Sequence, residues 1–169
     1  MVKMEFLSET YTDSQRYRNI KMHFNRLTFR IHGDKHGDLV ALEELTDVPF
    51  HIHRVYYVYN TDADAVRGCH AHKRLQQVLI CVHGSCKIKL DDGKGTETIT
   101  LDKPYEGIYV SGIVWREVFD FSQDAVLLVL ASERYDKTEY IRDYNEFLKI
   151  VNGENSLINT DNRYDTEES

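Results

Sequence analysis

The segment Arg67-Gly68-Cys69-His70-Ala71-His72 carries the greatest chemical potential in this chain. Side chains two apart on a strand project to one face, so His70 and His72 would present two imidazoles together. A lone histidine is usually a satisfied structural residue. A pair at this spacing, leading into the apolar run Val78-Leu79-Ile80-Cys81-Val82 and then Gly84, points instead to a site. Imidazole titrates near 6.5, which suits it to moving protons at neutral pH, and its lone pair also ligates metals. Which of the two it does depends on what else reaches the pair.

The elements that would position it read as strands. Leu27 to Ile31 alternates, and Gly33 to Asp38 reads as a turn. Leu39 to Leu45 fits a short strand. Val55-Tyr56-Tyr57-Val58-Tyr59 is dense in β-branched and aromatic residues and predicts another, followed by a polar loop from Asn60 to Asp64. Lys87 to Leu90 alternates into Asp91-Asp92-Gly93, a hairpin signal, and Glu97 to Leu101 alternates again. Ile108 to Val110 and Val126 to Leu130 complete the set. Tyr140, Ile141, Tyr144, Phe147, Leu148 and Val151 share one helical face, with Thr138 as the expected cap. About eight short strands imply an all-β jelly-roll barrel with a short C-terminal helix. Residues 1–25 read as an N-terminal arm, 26–151 as the domain, and 152–169 as an acidic, disordered tail.

The spacing extends further. His70-x-His72, Gln77 and Gly84 follow the outline of the first cupin motif, HxH-x3/4-E-x6-G. The second motif falls on Gly107 to Arg116, which puts Arg116 where the last metal ligand would stand. Two of the four ligand positions are therefore unsuited to a metal. Gln77 offers a weak neutral oxygen, and Arg116 is a permanent cation that repels a divalent ion. None of His32, His36, His51, His53 or His83 sits in the vacant ligand position. The expectation is a site with no metal and no cofactor.

Nearby charge indicates the ligand. Arg54, Arg67, Lys73 and Arg74 fall in a stretch whose acids are Asp62 and Asp64. Guanidinium forks suit phosphate oxygens, and Arg54 shares a strand face with Tyr56, a ring able to stack on a base. Lys73 and Arg74 read more simply as solvated surface. The net charge of −7 argues against a general nucleic-acid binder. The odd cysteines Cys69, Cys81 and Cys86 suggest a reducing compartment. No stretch reaches membrane-spanning length and no signal-peptide profile is present, so a cytoplasmic protein is expected.

The stretches Pro49-Phe50-x-Ile52-x-Arg54-Val55-Tyr56-Tyr57, Arg67-Gly68-x-His70-Ala71-His72-Lys73, Gln77-Val78, Gly84-Ser85-Cys86 and Leu90-Asp91-Asp92-Gly93 resemble the sugar-nucleotide 3,4-ketoisomerase family. So do Val129 to Ser132, Tyr135-Asp136, Tyr140 to Tyr144 and Phe147. The likeness spans about residues 26 to 150. It implies a homodimeric cupin acting on a dTDP-sugar, dTDP-4-keto-6-deoxyglucose. The ketone would move from C4 to C3 through an enediol(ate), on a route to dTDP-3-amino-3,6-dideoxyhexoses for lipopolysaccharide or S-layer glycans. His70 and His72 would be the acid/base pair, with Arg54, Tyr56, Arg67 and Gln77 in the pocket; Trp115 and Arg116 complete the substrate-binding set. Asp34-Lys35-His36-Gly37 departs from the family's Asp-x-Arg-Gly turn, and Arg116 stands where relatives often carry histidine. Three rival readings are a 3,5-epimerase, a metal-dependent oxygenase and a non-catalytic sugar-binding cupin.

Overall fold

The computed structural model describes residues 23–153. One five-stranded sheet has the order β1 (His23–Thr28), β9 (Glu106–Ser111), β6 (Gln77–His83), β11 (Val126–Ala131), β4 (Arg54–Val58). The second has the order β12 (Tyr140–Ile141), β5 (Arg67–His72), β10 (Trp115–Phe119), β7 (Cys86–Asp91), β8 (Thr96–Leu101). All ladders are antiparallel, and most neighbours are distant in sequence. Two facing sheets with such crossovers make the jelly roll expected from the strand count. A separate hairpin pairs β2 (Ile31–Asp34) with β3 (Gly37–Val40).

Strand alternation assigns each residue its face. Leu79, Cys81, Ile108, Val110, Leu127 and Val129 of the first sheet meet Cys86, Ile88, Leu90, Ile99, Leu101 and Val118 of the second in the central core. Val78, Ile80 and Leu130 face the other way and are covered by Phe29, Val48 and Phe50. Ala71, Trp115 and Ile141 on the outer face of the second sheet are covered by helix α1 (Tyr144–Val151) through Phe147. The chain passes from one sheet to the other at Gly84, whose φ is +66°. A Cβ there would lie 2.3 Å from Ser122 Oγ, so glycine is required for both reasons.

Several boundaries differ from the sequence reading. The residues from Gly33 to Asp38 are the ends of β2 and β3, and only Lys35 and His36 turn, with His36 N–H bonded to Asp34 Oδ1 at 2.7 Å. The strand expected over Leu39 to Leu45 stops at Val40, because Asp47 Oδ2 accepts from Glu43 N–H and winds the following residues into a loop. Helix α1 begins at Tyr144 with Asp143 as its cap, not with Thr138. Tyr140 and Ile141 instead pair with His72 and Ala71 as β12. Thr138 lies in a 3₁₀ turn capped by Asp136. Of the expected N-terminal arm, residues 1–22 lie outside the described residues, while 23–25 open β1; residues 154–169 of the tail also lie outside.

Candidate active site

At one end of the sandwich the apolar interior gives way to polar side chains from both sheets. β5 supplies His70 and His72, which Ala71 anchors by packing on the opposite face beside Ile141 and Phe147. Their aim is set by an irregularity: Arg116 pairs with His70 but Glu117 pairs with Gly68, leaving Cys69 as an extra residue. Gly68 (φ +86°) and Cys69 (φ +49°) both adopt left-handed backbone to make this bulge. The Gly68 carbonyl thereby turns onto His70 Nδ1 at 2.8 Å.

That contact fixes the tautomer. A carbonyl only accepts, so His70 carries its proton on Nδ1 and leaves Nε2 with a lone pair. Nε2 of His70 lies 3.1 Å from Nε2 of His72, so His72 donates across this line. His72 Nδ1 is then a buried lone pair with no partner. Burial pulls His70 down to about 4, reinforced by Arg116 and Arg142. Burial pulls His72 down to about 2, with Arg116, His70, Arg54 and Arg142 acting in the same direction. Both rings are neutral at pH 7, the state a base requires.

Around them stands a shell of tyrosines and arginines. Tyr140, opposite His72 on β12, places its ring centroid 4.9 Å from His70 and 4.4 Å from His72. The Arg142 guanidinium lies over the Tyr140 ring at 4.6 Å. From β4, the Arg54 guanidinium sits 5.1 Å from the Tyr56 ring and 5.7 Å from that of Tyr135. Gln77 of β6 donates from Nε2 to the Tyr56 hydroxyl at 2.8 Å. Arg116 of β10 donates to Gln77 Oε1 and to the Val114 carbonyl. Arg116 is fully buried, and burial lowers its guanidinium to about 10. It remains a cation at neutral pH. Among the described residues, no carboxylate lies within ion-pair distance of Arg54, Arg116 or Arg142.

His70, His72, Arg54, Tyr56, Gln77 and Arg116 are thus brought together. Two residues expected in the site are not. Trp115 points to the outer face, packs on Tyr144 and Phe147, and donates its indole N–H to Glu117. Arg67 is exposed at the start of β5, where it pairs with Val118, and among the described residues no side-chain hydrogen bond or ion pair links it to the cluster. Tyr135, Tyr140 and Arg142 were not foreseen as site residues. The signal was the alternation of Tyr140 and Arg142 about Ile141, which the helical periodicity downstream obscured. Arg74, read as solvated surface, clamps the buried Glu139: backbone N–H, Nε and Nη2 all donate to its carboxylate. This ties the end of β5 to the turn that precedes β12.

The residues do not fit the divalent ion that many proteins of this fold hold. Gln77 Oε1 is already taken by Arg116, whose charge occupies the position of the last ligand. Among the described residues, no group of three His, Cys, Asp or Glu side chains could hold an ion.

Comparison with known proteins agrees with this geometry. Residues 8–152 match the family model described as FdtA: WxcM-like, C-terminal, a match that starts well upstream of residue 26. A TDP-4-oxo-6-deoxy-alpha-D-glucose-3,4-oxoisomerase from Aneurinibacillus thermoaerophilus is 52% identical over 118 residues, covering 70% of this chain and 85% of that protein. A 3,4-ketoisomerase from Helicobacter canadensis superposes with a TM-score of 0.76 at 49% identity, covering 78% of this chain and 99% of the other. A variant of the 3,4-ketoisomerase QdtA from Thermoanaerobacterium thermosaccharolyticum, solved with TDP-4-keto-6-deoxyglucose, gives a TM-score of 0.76 at 42% identity, covering 82% and 99%. Fold and site together define a cupin-type enzyme of the isomerase class. The chain belongs to the FdtA/WxcM-like family of sugar 3,4-ketoisomerases.

Proposed function

We propose that this protein moves the ketone of dTDP-4-keto-6-deoxyglucose from C4 to C3 by proton transfer through an enediol(ate), without a metal. The observation that carries the reading is the neutral His70–His72 pair set among three guanidiniums that have no carboxylate partner. Arg116 is buried and Arg54 half-buried, while Arg142 is exposed beside them; a buried cation without a counterion is costly, and an anionic ligand relieves that cost. A nucleoside diphosphate sugar meets the requirement through its phosphates, and again through the enediolate that forms on its sugar. The tyrosine rings beside Arg54 and Arg142 are suited to stacking on thymine.

The C4 ketone acidifies the C3 proton. His70 Nε2 is the basic atom of its ring, because Nδ1–H is committed to Gly68, and it takes that proton once substrate parts it from the His72 N–H it accepts here. His72 holds the first ring in place and shares its proton. A proton then arrives at C4 as the C3 oxygen becomes the ketone. The 3,5-epimerase reading has less support, since the relatives at high identity are ketoisomerases. The enzyme works in the cytoplasm, which agrees with Cys69, Cys81 and Cys86 all being free thiols, and as a homodimer.

NMR of the product formed from dTDP-4-keto-6-deoxyglucose, trapped with a 3-aminotransferase because 3-keto sugars decompose, tests the function. A C3 ketone in the product is the expected result. Return of unreacted or C5-inverted sugar would overturn the assignment.

A further inference from the structure

Strand β12 covers the histidine pair, yet its own ladder is minimal, with Tyr140 opposite His72 and Ile141 opposite Ala71. Two ladder pairs hold little by themselves. Ile141 packs outward against Ala71 and Phe147, while the Tyr140 ring lies 4.9 and 4.4 Å from the two imidazole centroids. The start of the strand is held by Glu139, the residue before it. Its carbonyl accepts from Lys73 N–H at 3.0 Å. Its carboxylate accepts three times from Arg74: from the backbone N–H at 3.0 Å, from Nε at 3.1 Å and from Nη2 at 2.7 Å. The Glu139 side chain is 7% exposed and that of Arg74 is 76% exposed, so a surface guanidinium serves a buried carboxylate. We propose that the Arg74–Glu139 clamp is a positioning device that holds β12 shut over His70 and His72 and keeps water from both rings.

This inference rests on the ketoisomerase reading and names residues on which the neutral state of its base depends. Facing the pair are Arg116 from β10, Arg54 and Tyr56 from β4, and Tyr140 and Arg142 from β12 and its end. Burial is the largest cause of the lowered histidines, and Arg142 adds to it. Without the guanidinium, Glu139 is a buried charge short of partners, and it reaches water by drawing the start of β12 outward. Water then reaches the imidazoles and Arg142 moves away. Both changes raise the histidines. Arg116 and Arg54 stay on their own strands and keep the rise short of the free value of 6.5. The acid limb of turnover therefore moves up, while turnover near neutral pH, where the rings are neutral in either case, changes less.

The test compares wild type with Arg74→Ala, whose side chain belongs to no core cluster, in kcat against pH with dTDP-4-keto-6-deoxyglucose. NMR titration of the His70 and His72 imidazoles in the substrate-free protein is the second readout. Wild type should hold its turnover down towards about pH 4. In Arg74→Ala the histidine midpoints should rise to about 6, which lowers the ratio of kcat at pH ~5 to that at pH ~7.5 about tenfold. Glu139→Gln should act in the same direction, because its amide turns a donor towards the donors of Arg74. Arg74→Lys, which keeps the charge but not the fork, should fall between Arg74→Ala and wild type. Turnover lost equally at both pH values, or histidine midpoints that do not move, overturns the proposal, since a clamp serving stability alone gives that result. A wild type that makes no 3-keto product at any pH overturns the ketoisomerase reading instead, and the histidine titration still decides the clamp.

Discussion

His70 and His72 sit at the centre of the site because their environment suppresses their charge rather than because they carry it. Burial, with Arg116 and Arg142 beside both rings and Arg54 beside His72, holds both below the free value of 6.5, and the Gly68 carbonyl decides which nitrogen of His70 is basic. Replacing His70 with Asn should cut turnover by roughly 10²–10⁴-fold while dTDP affinity, measured by calorimetry, changes little. His72→Asn should be similarly damaging; near-normal turnover in both variants would move the base elsewhere. The pH profile follows with a definite sign. The active imidazoles are neutral, so kcat should stay flat as pH falls through 6.5 and decline only towards about 4. Stability behaves differently across the same window. The unfolded chain protonates His70 and His72 near 6.5 and the folded one holds both neutral there, so Tm should fall progressively between pH 6.5 and 4. An activity midpoint near 6.5 would contradict the burial of the pair. Turnover should also survive exhaustive chelation, since Gln77 and Arg116 occupy each other. Activity lost to EDTA and restored by one added metal would reverse that reading. At this scale the sequence was informative because spacing alone put the imidazoles together and exposed the mismatched ligand positions. It could not disclose the tautomer, which depends on a carbonyl turned by a bulge.

The bulge at Gly68 and Cys69 belongs to the scale of elements. It offsets the β5–β10 register so that His70 lies across from Arg116 while Gly68 lies across from Glu117. A Cβ at residue 68 would lie 2.8 Å from the Arg116 carbonyl oxygen, on a backbone with φ +86°. Gly68→Ala should therefore cost ~1–3 kcal/mol in urea unfolding and displace the strand carrying Arg116. Its activity should fall by more than the loss of folded protein explains. A variant with wild-type stability and turnover would show that the register tolerates a side chain. The strands that were easy to read, β4, β6, β7 and β11, are rich in Val, Ile, Leu and Tyr. β10 was missed because Arg116 and Glu117 interrupt its apolar pattern, one buried opposite His70 and one facing outward. β12 was misread for the opposite reason. Tyr140 and Ile141 match the periodicity of α1, but pairing with His72 and Ala71 and the Asp143 cap stop the helix short of them. Tertiary pairing outweighed a local pattern, and two site residues, Tyr140 and Arg142, were hidden with it.

At the scale of the whole molecule, the hairpin of β2 and β3 joins neither sheet, and nearly all of its residues are exposed. An isolated two-stranded ribbon is marginal in water, because it buries too little to offset its ordering. Ile31 and Leu39 nevertheless stand exposed on it, at 42% and 58%. The edge strand β4 likewise turns Val55 and Tyr57 outward, at 57% and 63%, while Arg54 and Tyr56 on its other face serve the site. An uncovered apolar edge of this kind is an aggregation hazard unless another strand or chain covers it. A second copy, related by a two-fold axis, would cover both features at once, since each copy offers the same hairpin and the same edge. Light scattering at micromolar concentration should therefore report twice the 19.8 kDa chain mass. Paired Ile31→Asp and Leu39→Asp changes should shift that value towards the single chain without unfolding the two-sheet core, because neither residue belongs to a core cluster. A mass of one chain for the unaltered protein would leave the hairpin without a cover and remove the homodimer from the proposed function.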